Sequence, residues 1–107
     1  MFTRVVEVST KPEKSHEVAS TITEKVLPIL RQQAGFLDET VLTSDMEPNR
    51  VMALSFWKTK EDAERYQREH YAKVTEILSS LIESPPAVRT FNVHTSTSHK
   101  IAAGLAA

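Results

Sequence analysis

The feature that most constrains the fold is a pattern of strand, helix cap and helix that occurs twice in the chain. In the first half, a β-branched, strand-like run at residues 2–8 precedes Thr10 and Glu13, which are spaced as a capping box. In the second half, a run ending at Trp57 precedes Thr59 and Asp62, which have the same spacing. Each motif predicts a helix N-terminus, the first near residue 11, and each is followed by apolar residues at helical spacing. The chain therefore reads as two successive strand–helix–strand units.

The boundaries of these units follow from proline and glycine. Pro28 lies inside the apolar stripe of the first helix and predicts a kink or break, and Gly35 predicts the end of that helix. The second helix is expected to run from about residue 60 to Glu83, before Pro85 and Pro86. Strands are expected at residues 2–8, 36–45, 50–59 and 87–95.

Two right-handed βαβ units fold most simply as a four-stranded antiparallel sheet with two helices on one face. The sequence therefore predicts an α+β fold of the ferredoxin-like βαββαβ type over residues 1–95, with a C-terminal tail at residues 96–107. In that tail, Ile101 and Leu105 lie four residues apart. The tail could dock as a short helical turn or stay disordered, and both alternatives remain open.

The strand at residues 50–59 is apolar on both of its faces, whereas a sheet with one solvated face should alternate between apolar and polar residues. One face carries Val51, Ala53 and Trp57, and the other carries Met52, Leu54 and Phe56. Helices cover only one face of the predicted sheet. We therefore expect a homodimer through the open sheet face, the alternative being a strand with incidental apolar surface residues.

Composition excludes several classes of partner and site. The 13 basic and 14 acidic residues are spread along the chain, so neither nucleic acid nor a membrane surface is an expected partner. The chain contains no cysteine, its four histidines lack the spacing of metal ligands, and its two glycines cannot build a phosphate loop. No metal site, nucleotide cofactor or membrane span is expected, and a cytoplasmic protein is the default prediction.

The stretches "RVMALSFWKTKEDAERYQREHYAKV" and "VVEVSTKPEK" resemble the antibiotic-biosynthesis monooxygenase-type (ABM) domain over roughly residues 2–95. The resemblance implies a dimeric α+β barrel with a pocket between sheet and helices in each subunit. It also implies, for some members, oxygenation of a phenolic or quinone-like substrate with no metal or flavin cofactor. A haem-degrading branch uses an Asn, a Trp and a His whose positions fall beside or on Arg4, on Tyr66 and near Glu76. Because none of the three is retained, haem degradation is not expected.

His70 interrupts the apolar stripe of the second helix, one turn after Tyr66. A buried imidazole without a partner costs about 1–3 kcal/mol. His70 could therefore line a pocket, be a structural histidine with a core partner, or lie at a helix break and face solvent. A break is plausible because the predicted helix is longer than the strands beside it.

The candidate catalytic residues are His70, as a base or proton shuttle, and Tyr66, which would orient a substrate oxygen. The candidate substrate contacts are Trp57, Asn92 and Phe56. Tyr66 could equally be a core residue, and Trp57 fits better as a large core residue packed under the second helix. Asn92 could instead contact a second subunit or lie at an exposed strand end.

The functional hypothesis is a cofactor-independent monooxygenase-like protein that acts on a small aromatic or polyketide-like metabolite. The alternative is a non-catalytic dimeric module of the same fold that binds a small apolar molecule or acts as a scaffold. An isomerase or decyclase would need the same pocket but no oxygen.

Overall fold

The computed structural model describes residues 1–99 of the chain, so Ile101 and Leu105 of the tail lie outside the described residues. The four strands are β1 (Phe2–Ser9), β2 (Phe36–Thr43), β3 (Arg50–Trp57) and β4 (Ala87–Asn92). The α-helices are α1 (Ser15–Thr21), α2 (Leu27–Arg31), α3 (Lys60–Glu69) and α4 (Tyr71–Leu78). A π-helical turn at Ile22–Val26 joins α1 to α2, and a 3-10 turn at Ser79–Leu81 follows α4.

The strands form one antiparallel sheet in the spatial order β2-β3-β1-β4, and the helices pack on one of its faces. The predicted ferredoxin-like α+β fold is confirmed. Within residues 1–99, none of the helices has the length and apolar character needed to cross a membrane.

Burial along β3 separates the two faces of the sheet. Val51, Ala53, Ser55 and Trp57 are buried, whereas the residues between them are only half-buried. The buried side packs against apolar side chains of the helices, including Val18, Ile22, Val26, Leu30, Val74 and Leu78. We call this buried side the helix face and the opposite side the open face. Both faces of β3 are apolar as predicted, but helices cover only the helix face, and on the open face the described chain brings the ring of His99 against Phe56.

One of the two predicted helix caps forms. Thr59 is the N-cap of α3, where its Oγ1 accepts a hydrogen bond from the Asp62 backbone N–H at 3.2 Å and donates one to the Asp62 carboxylate at 2.9 Å. The structure confirms this prediction. The sequence could specify the cap because it involves only neighbouring residues. Gly35, with φ +81°, packs against this cap, and a Cβ on it would lie 2.0 Å from Oδ2 of Asp62.

The other predicted cap, between Thr10 and Glu13, is wrong. Thr10 is 2% exposed, and its backbone N–H donates to the carbonyl oxygen of Asn49 at 2.8 Å. Glu13 has a left-handed backbone with φ 65°, and α1 begins only at Ser15 without a side-chain cap. Tertiary hydrogen bonds that extend β1 beyond its predicted end compete with the local motif.

The first helix is interrupted just before Pro28, as predicted. The backbone N–H of Leu27 donates to the carbonyl oxygen of Ile22, five residues earlier, which is the π-helical pattern. Pro28 then occupies the first turn of α2, a position where a helix tolerates a residue without a backbone N–H.

The second helix is also interrupted, at His70. Its φ of −131° and ψ of −20° are not helical, and its N–H donates to the Tyr66 carbonyl oxygen at 2.9 Å to end α3. The chain resumes as α4 at Tyr71. The break that helix length suggested is therefore confirmed, and the single long helix is divided in two.

Candidate functional site

A narrow cavity lies between the helix face of the sheet and the helices that cover it. Its wall is mainly apolar, formed by side chains such as Val6, Val8, Ile22, Val26, Leu30 and Val74. Polar side chains enter it from five elements: Arg4, Glu39, Ser55, Tyr66, Tyr71 and Thr75. Only about 30 Å³ is open to the centre of a water molecule, so an aromatic ligand requires the wall to move apart.

Arg4 places a positive charge at this cavity. It is 3% exposed and lies on the helix face of β1, where the period of two groups it with Phe2, Val6 and Val8. Its Nη2 donates a hydrogen bond to Oε1 of Gln67 on α3. Burial lowers the pKa of Arg4 because desolvation disfavours the charged form.

Two tyrosine rings pack against the guanidinium of Arg4. Its Cζ lies 5.0 Å from the ring centroid of Tyr66 and 4.6 Å from that of Tyr71. The two rings meet edge to face, with centroids 6.3 Å apart. These are cation–π contacts, which stabilise a buried guanidinium without neutralising it. Burial raises the pKa of Tyr66 to about 12 and also raises that of Tyr71, so both phenols are neutral at physiological pH.

Glu39 lines the same cavity from β2. A β-bulge between Phe36 and Asp38 shifts the register, and as a result both Phe36 and Glu39 lie on the helix face. Glu39 is half-buried. Burial raises its pKa to about 7, although the positive charge of Arg4 opposes this rise. A carboxyl group with such a pKa can accept and release a proton near neutral pH.

The structure places the two predicted catalytic residues differently. Tyr66 is 2% exposed and lines the cavity. His70 is half-buried at the helix break and does not line this cavity. Its ring stacks on that of Tyr66 at a centroid distance of 6.4 Å, so His70 reaches the cavity only through Tyr66.

The three predicted substrate contacts lie apart from each other. Trp57 is fully buried, donates from its Nε1 to Oγ of Ser55 at 3.0 Å and packs against Tyr66 at 5.3 Å between ring centroids. Asn92 is exposed at the end of β4, opposite Phe2. Phe56 lies on the open face, where its ring meets that of His99 at 4.9 Å. Of the five predicted site residues, only Tyr66 lines the cavity, and the roles of all five stay predictions.

Sequence reasoning assigned no function to Arg4 or Glu39. For Arg4 a signal was present, since in "FTRVVEV" it shares one face with Phe2 and Val6, and a lone charge on a buried face is unusual. For Glu39 the alternation of "FLDETVLT" was misleading, because the bulge that sets its face appears only in the folded sheet. Within residues 1–99, no three His, Cys, Asp or Glu side chains cluster in a way that could hold a metal ion.

Comparisons with known proteins agree with this architecture. The family model described as antibiotic biosynthesis monooxygenase matches residues 1–77. A search of curated proteins gave no match.

Solved structures share the fold at low sequence identity. The ActVA-Orf6 monooxygenase of Streptomyces coelicolor, solved with the ligand nanaomycin D, has a TM-score of 0.77 and 23% identity, covering 89% of this chain and 88% of that one. A mutant of SnoaB, a cofactor-independent oxygenase of Streptomyces nogalater, has a TM-score of 0.75 and 16% identity, covering 90% and 95%. A conserved protein from Methanosarcina mazei has a TM-score of 0.69 and 20% identity, covering 86% and 92%.

At these identities the solved structures show the fold alone, whereas the family model matches well over half of the sequence. The chain therefore belongs to the antibiotic biosynthesis monooxygenase family.

Proposed function

We propose that this protein is a cofactor-independent monooxygenase that acts on a small aromatic or polyketide-like compound bound between the sheet and the helices. The observation that carries the proposal is the polar cluster in an otherwise apolar cavity: a buried cation, a carboxyl group with a pKa of about 7 and two phenols. Family membership and the likeness to two oxygenases support the reaction class.

The proposed reaction needs no external reductant. A base removes a proton from a phenol-activated CH₂ group, and the resulting carbanion supplies electrons to dioxygen. The CH₂ group becomes a carbonyl group, one oxygen atom enters the product, and the other leaves as water with the two hydrogens. The carbon loses four electrons and dioxygen gains four.

The residues available for these steps differ in their position. Glu39 lines the cavity and has the pKa of a base at neutral pH, and Tyr66 can donate a hydrogen bond to a substrate oxygen. His70 remains the alternative base, acting through Tyr66, against which it stacks. Trp57 would hold the ring of Tyr66 in place. Asn92, at the end of β4, and Phe56, on the open face, remain proposed ligand contacts outside the cavity.

The test is oxygen consumption with an anthrone-type substrate, comparing the wild type with Glu39→Gln and His70→Ala. We expect Glu39→Gln to lower kcat by about 100-fold or more, since general base catalysis contributes about 10²–10⁴. We expect His70→Ala to change it only several-fold. The reverse pattern would assign the base to His70.

A lack of any oxygen consumption by the wild type across a panel of such substrates would contradict the oxygenase proposal. One observation favours the non-catalytic alternative in that case: the cavity is narrow. An isomerase or decyclase would convert its substrate equally well without oxygen.

We also propose that the protein forms a homodimer through the open face. Its other proposed partner is the small apolar or aromatic molecule bound between the sheet and the helices. Three half-buried residues of β3 lie on that face: Met52, Leu54 and Phe56. Leu42 and Phe91, on the strands at either edge of the sheet, are 47% and 51% exposed. Such a patch on a small domain is typical of a protein interface. A cytoplasmic location stays a prediction.

A further inference from the structure

The guanidinium of Arg4 has unusually little neutralisation for a charge that is 3% exposed. Among residues 1–99, no carboxylate oxygen lies within 4.0 Å of it, and its one side-chain hydrogen bond goes to the neutral amide of Gln67. Buried charges in proteins are normally paired, because an unpaired one has lost its hydration without compensation. Within the described chain, the charge of Arg4 is therefore not compensated by an anionic group within 4.0 Å, and an anionic ligand could supply that compensation.

A second, independent observation lies in the same wall of the cavity. The hydroxyl oxygen of Tyr71 is buried and has no hydrogen-bond partner among the described residues. The guanidinium of Arg4 lies over the face of the Tyr71 ring, 4.6 Å from its centroid, so the buried cation and the buried hydroxyl adjoin the same part of the cavity. Buried polar atoms in folded proteins are nearly always satisfied, and each exception needs an explanation, such as a functional role or a bound species.

The other charged and titratable groups of the cavity do not fully neutralise Arg4. Glu39 faces it from β2 and is only partly ionised at neutral pH, because burial raises its pKa to about 7. Tyr66 and Tyr71 face it from α3 and α4, and burial raises the pKa of each phenol, so both stay uncharged. Glu39 therefore neutralises the charge of Arg4 only in part, and the two phenols do not neutralise it.

We propose that Arg4 and the Tyr71 hydroxyl form a receptor for one anionic oxygen, so that the cavity binds its aromatic ligand as the phenolate or enolate. Gln67 is a positioning residue that holds the guanidinium against the two rings. The inference rests on the proposed function for the place and the phenolic class of the ligand, and it adds the charge state in which the ligand binds and the two residues that select that state.

The test uses para-nitrophenol as the probe, because its phenolate absorbs visible light and its neutral form does not. We expect the pKa of the bound probe to lie roughly one to three units below that of the free probe. This corresponds to tenfold or greater preference for the phenolate. Nitrobenzene, which lacks the hydroxyl, should bind at least tenfold more weakly than the phenolate.

Matched variants identify the groups responsible. Arg4→Met should abolish the shift, whereas Arg68→Met, which removes an exposed arginine next to Gln67 with the same change of charge, should keep it. Tyr71→Phe removes only the partnerless hydroxyl and should weaken phenolate binding several-fold while leaving folding intact. Gln67→Met should reduce the shift without changing the binding of nitrobenzene.

The inference is overturned if the probe does not bind, if the bound probe titrates like the free one, or if Tyr71→Phe and Arg4→Met both keep the full shift. Tyr71→Phe keeps the test decisive if Arg4→Met does not fold. Binding is measured without oxygen turnover. If the pKa of the bound probe is lowered but the protein consumes no oxygen, the anion receptor is supported and the oxygenase proposal is contradicted. If the protein consumes oxygen but the bound probe titrates like the free one, the oxygenase proposal is supported and the anion receptor is contradicted.

Discussion

The two faces of the sheet are built from the same strands but differ in how their side chains are covered. On the helix face, β3 contributes Ser55 and Trp57, each at most 4% exposed. On the open face, its neighbours Leu54 and Phe56 are only half-buried. The helix face combines a packed core with a cavity that holds a buried cation, whereas the open face is an apolar surface that the described chain covers only in part, with His99 against Phe56. This difference supports the proposed ligand site on the helix face and the proposed association through the open face.

The largest expected effect contrasts two adjacent aromatic residues on opposite faces. Trp57→Ala should lower the free energy of unfolding by about 3–5 kcal/mol, because it removes a fully buried ring packed against Phe36 and Tyr66. Phe56→Ala should cost less than half of that in the monomer. Urea unfolding at low protein concentration measures both values. Equal losses would mean that the two faces are equally well packed in a single subunit.

A second prediction concerns association through the open face. Leu54→Asp places a charge in the middle of the proposed interface and should raise the dimer dissociation constant by about 100-fold or more, since a buried unpaired charge costs several kcal/mol. Ser80→Asp adds the same charge at an exposed position after α4 and should leave association unchanged. Sedimentation equilibrium measures both. A wild type that stays monomeric, or a Leu54→Asp variant that stays dimeric, would contradict the open-face interface.

The smallest effect tests the electrostatics of the helix face. Folding raises the pKa of Glu39 from 4.5 to about 7, so the native state binds this proton more tightly than the unfolded chain. Glu39 therefore makes the wild type lose stability as the pH rises from about 4.5 through 7. Glu39→Gln removes this loss and should be more stable than the wild type at pH 8 by about 1–2 kcal/mol, allowing for the partial exposure of Glu39.

Urea midpoints from pH 5 to pH 8 measure this difference. Glu24→Gln makes the same chemical change at an exposed position and should follow the wild type at every pH. If Glu39→Gln also runs parallel to the wild type, Glu39 has no raised pKa and is not the base of the proposed reaction.

Local features of the fold were readable from the sequence, and features that depend on distant contacts were not. The cap at Thr59 and the interruption before Pro28 were predicted because they involve residues a few positions apart. The cap at Thr10 failed because the Thr10 backbone N–H donates a hydrogen bond to the carbonyl oxygen of Asn49, far along the chain, and Thr10 pairs with Ile82 as a β-bridge. A helix break at His70 was one of three alternatives suggested by the sequence, and only the structure decided among them.

The candidate site shows the same division. Tyr66 was found from its helical spacing, which carries it to the helix face without further information. Arg4, Glu39 and Tyr71 converge on it from three other elements, and the face that Glu39 occupies depends on a bulge in β2. His70, the other predicted catalytic residue, stacks against Tyr66 and does not line the cavity.

By itself, the sequence determined the order of strands and helices, the two apolar faces of β3 and the family, because these depend on periodicity and on short motifs. Only the tertiary structure decided which polar groups share the cavity and that the charge of Arg4 has no carboxylate beside it in the described residues. The physical reason is that burial and electrostatic environment are set by side chains brought together from four different elements. No local pattern of residues encodes such a neighbourhood.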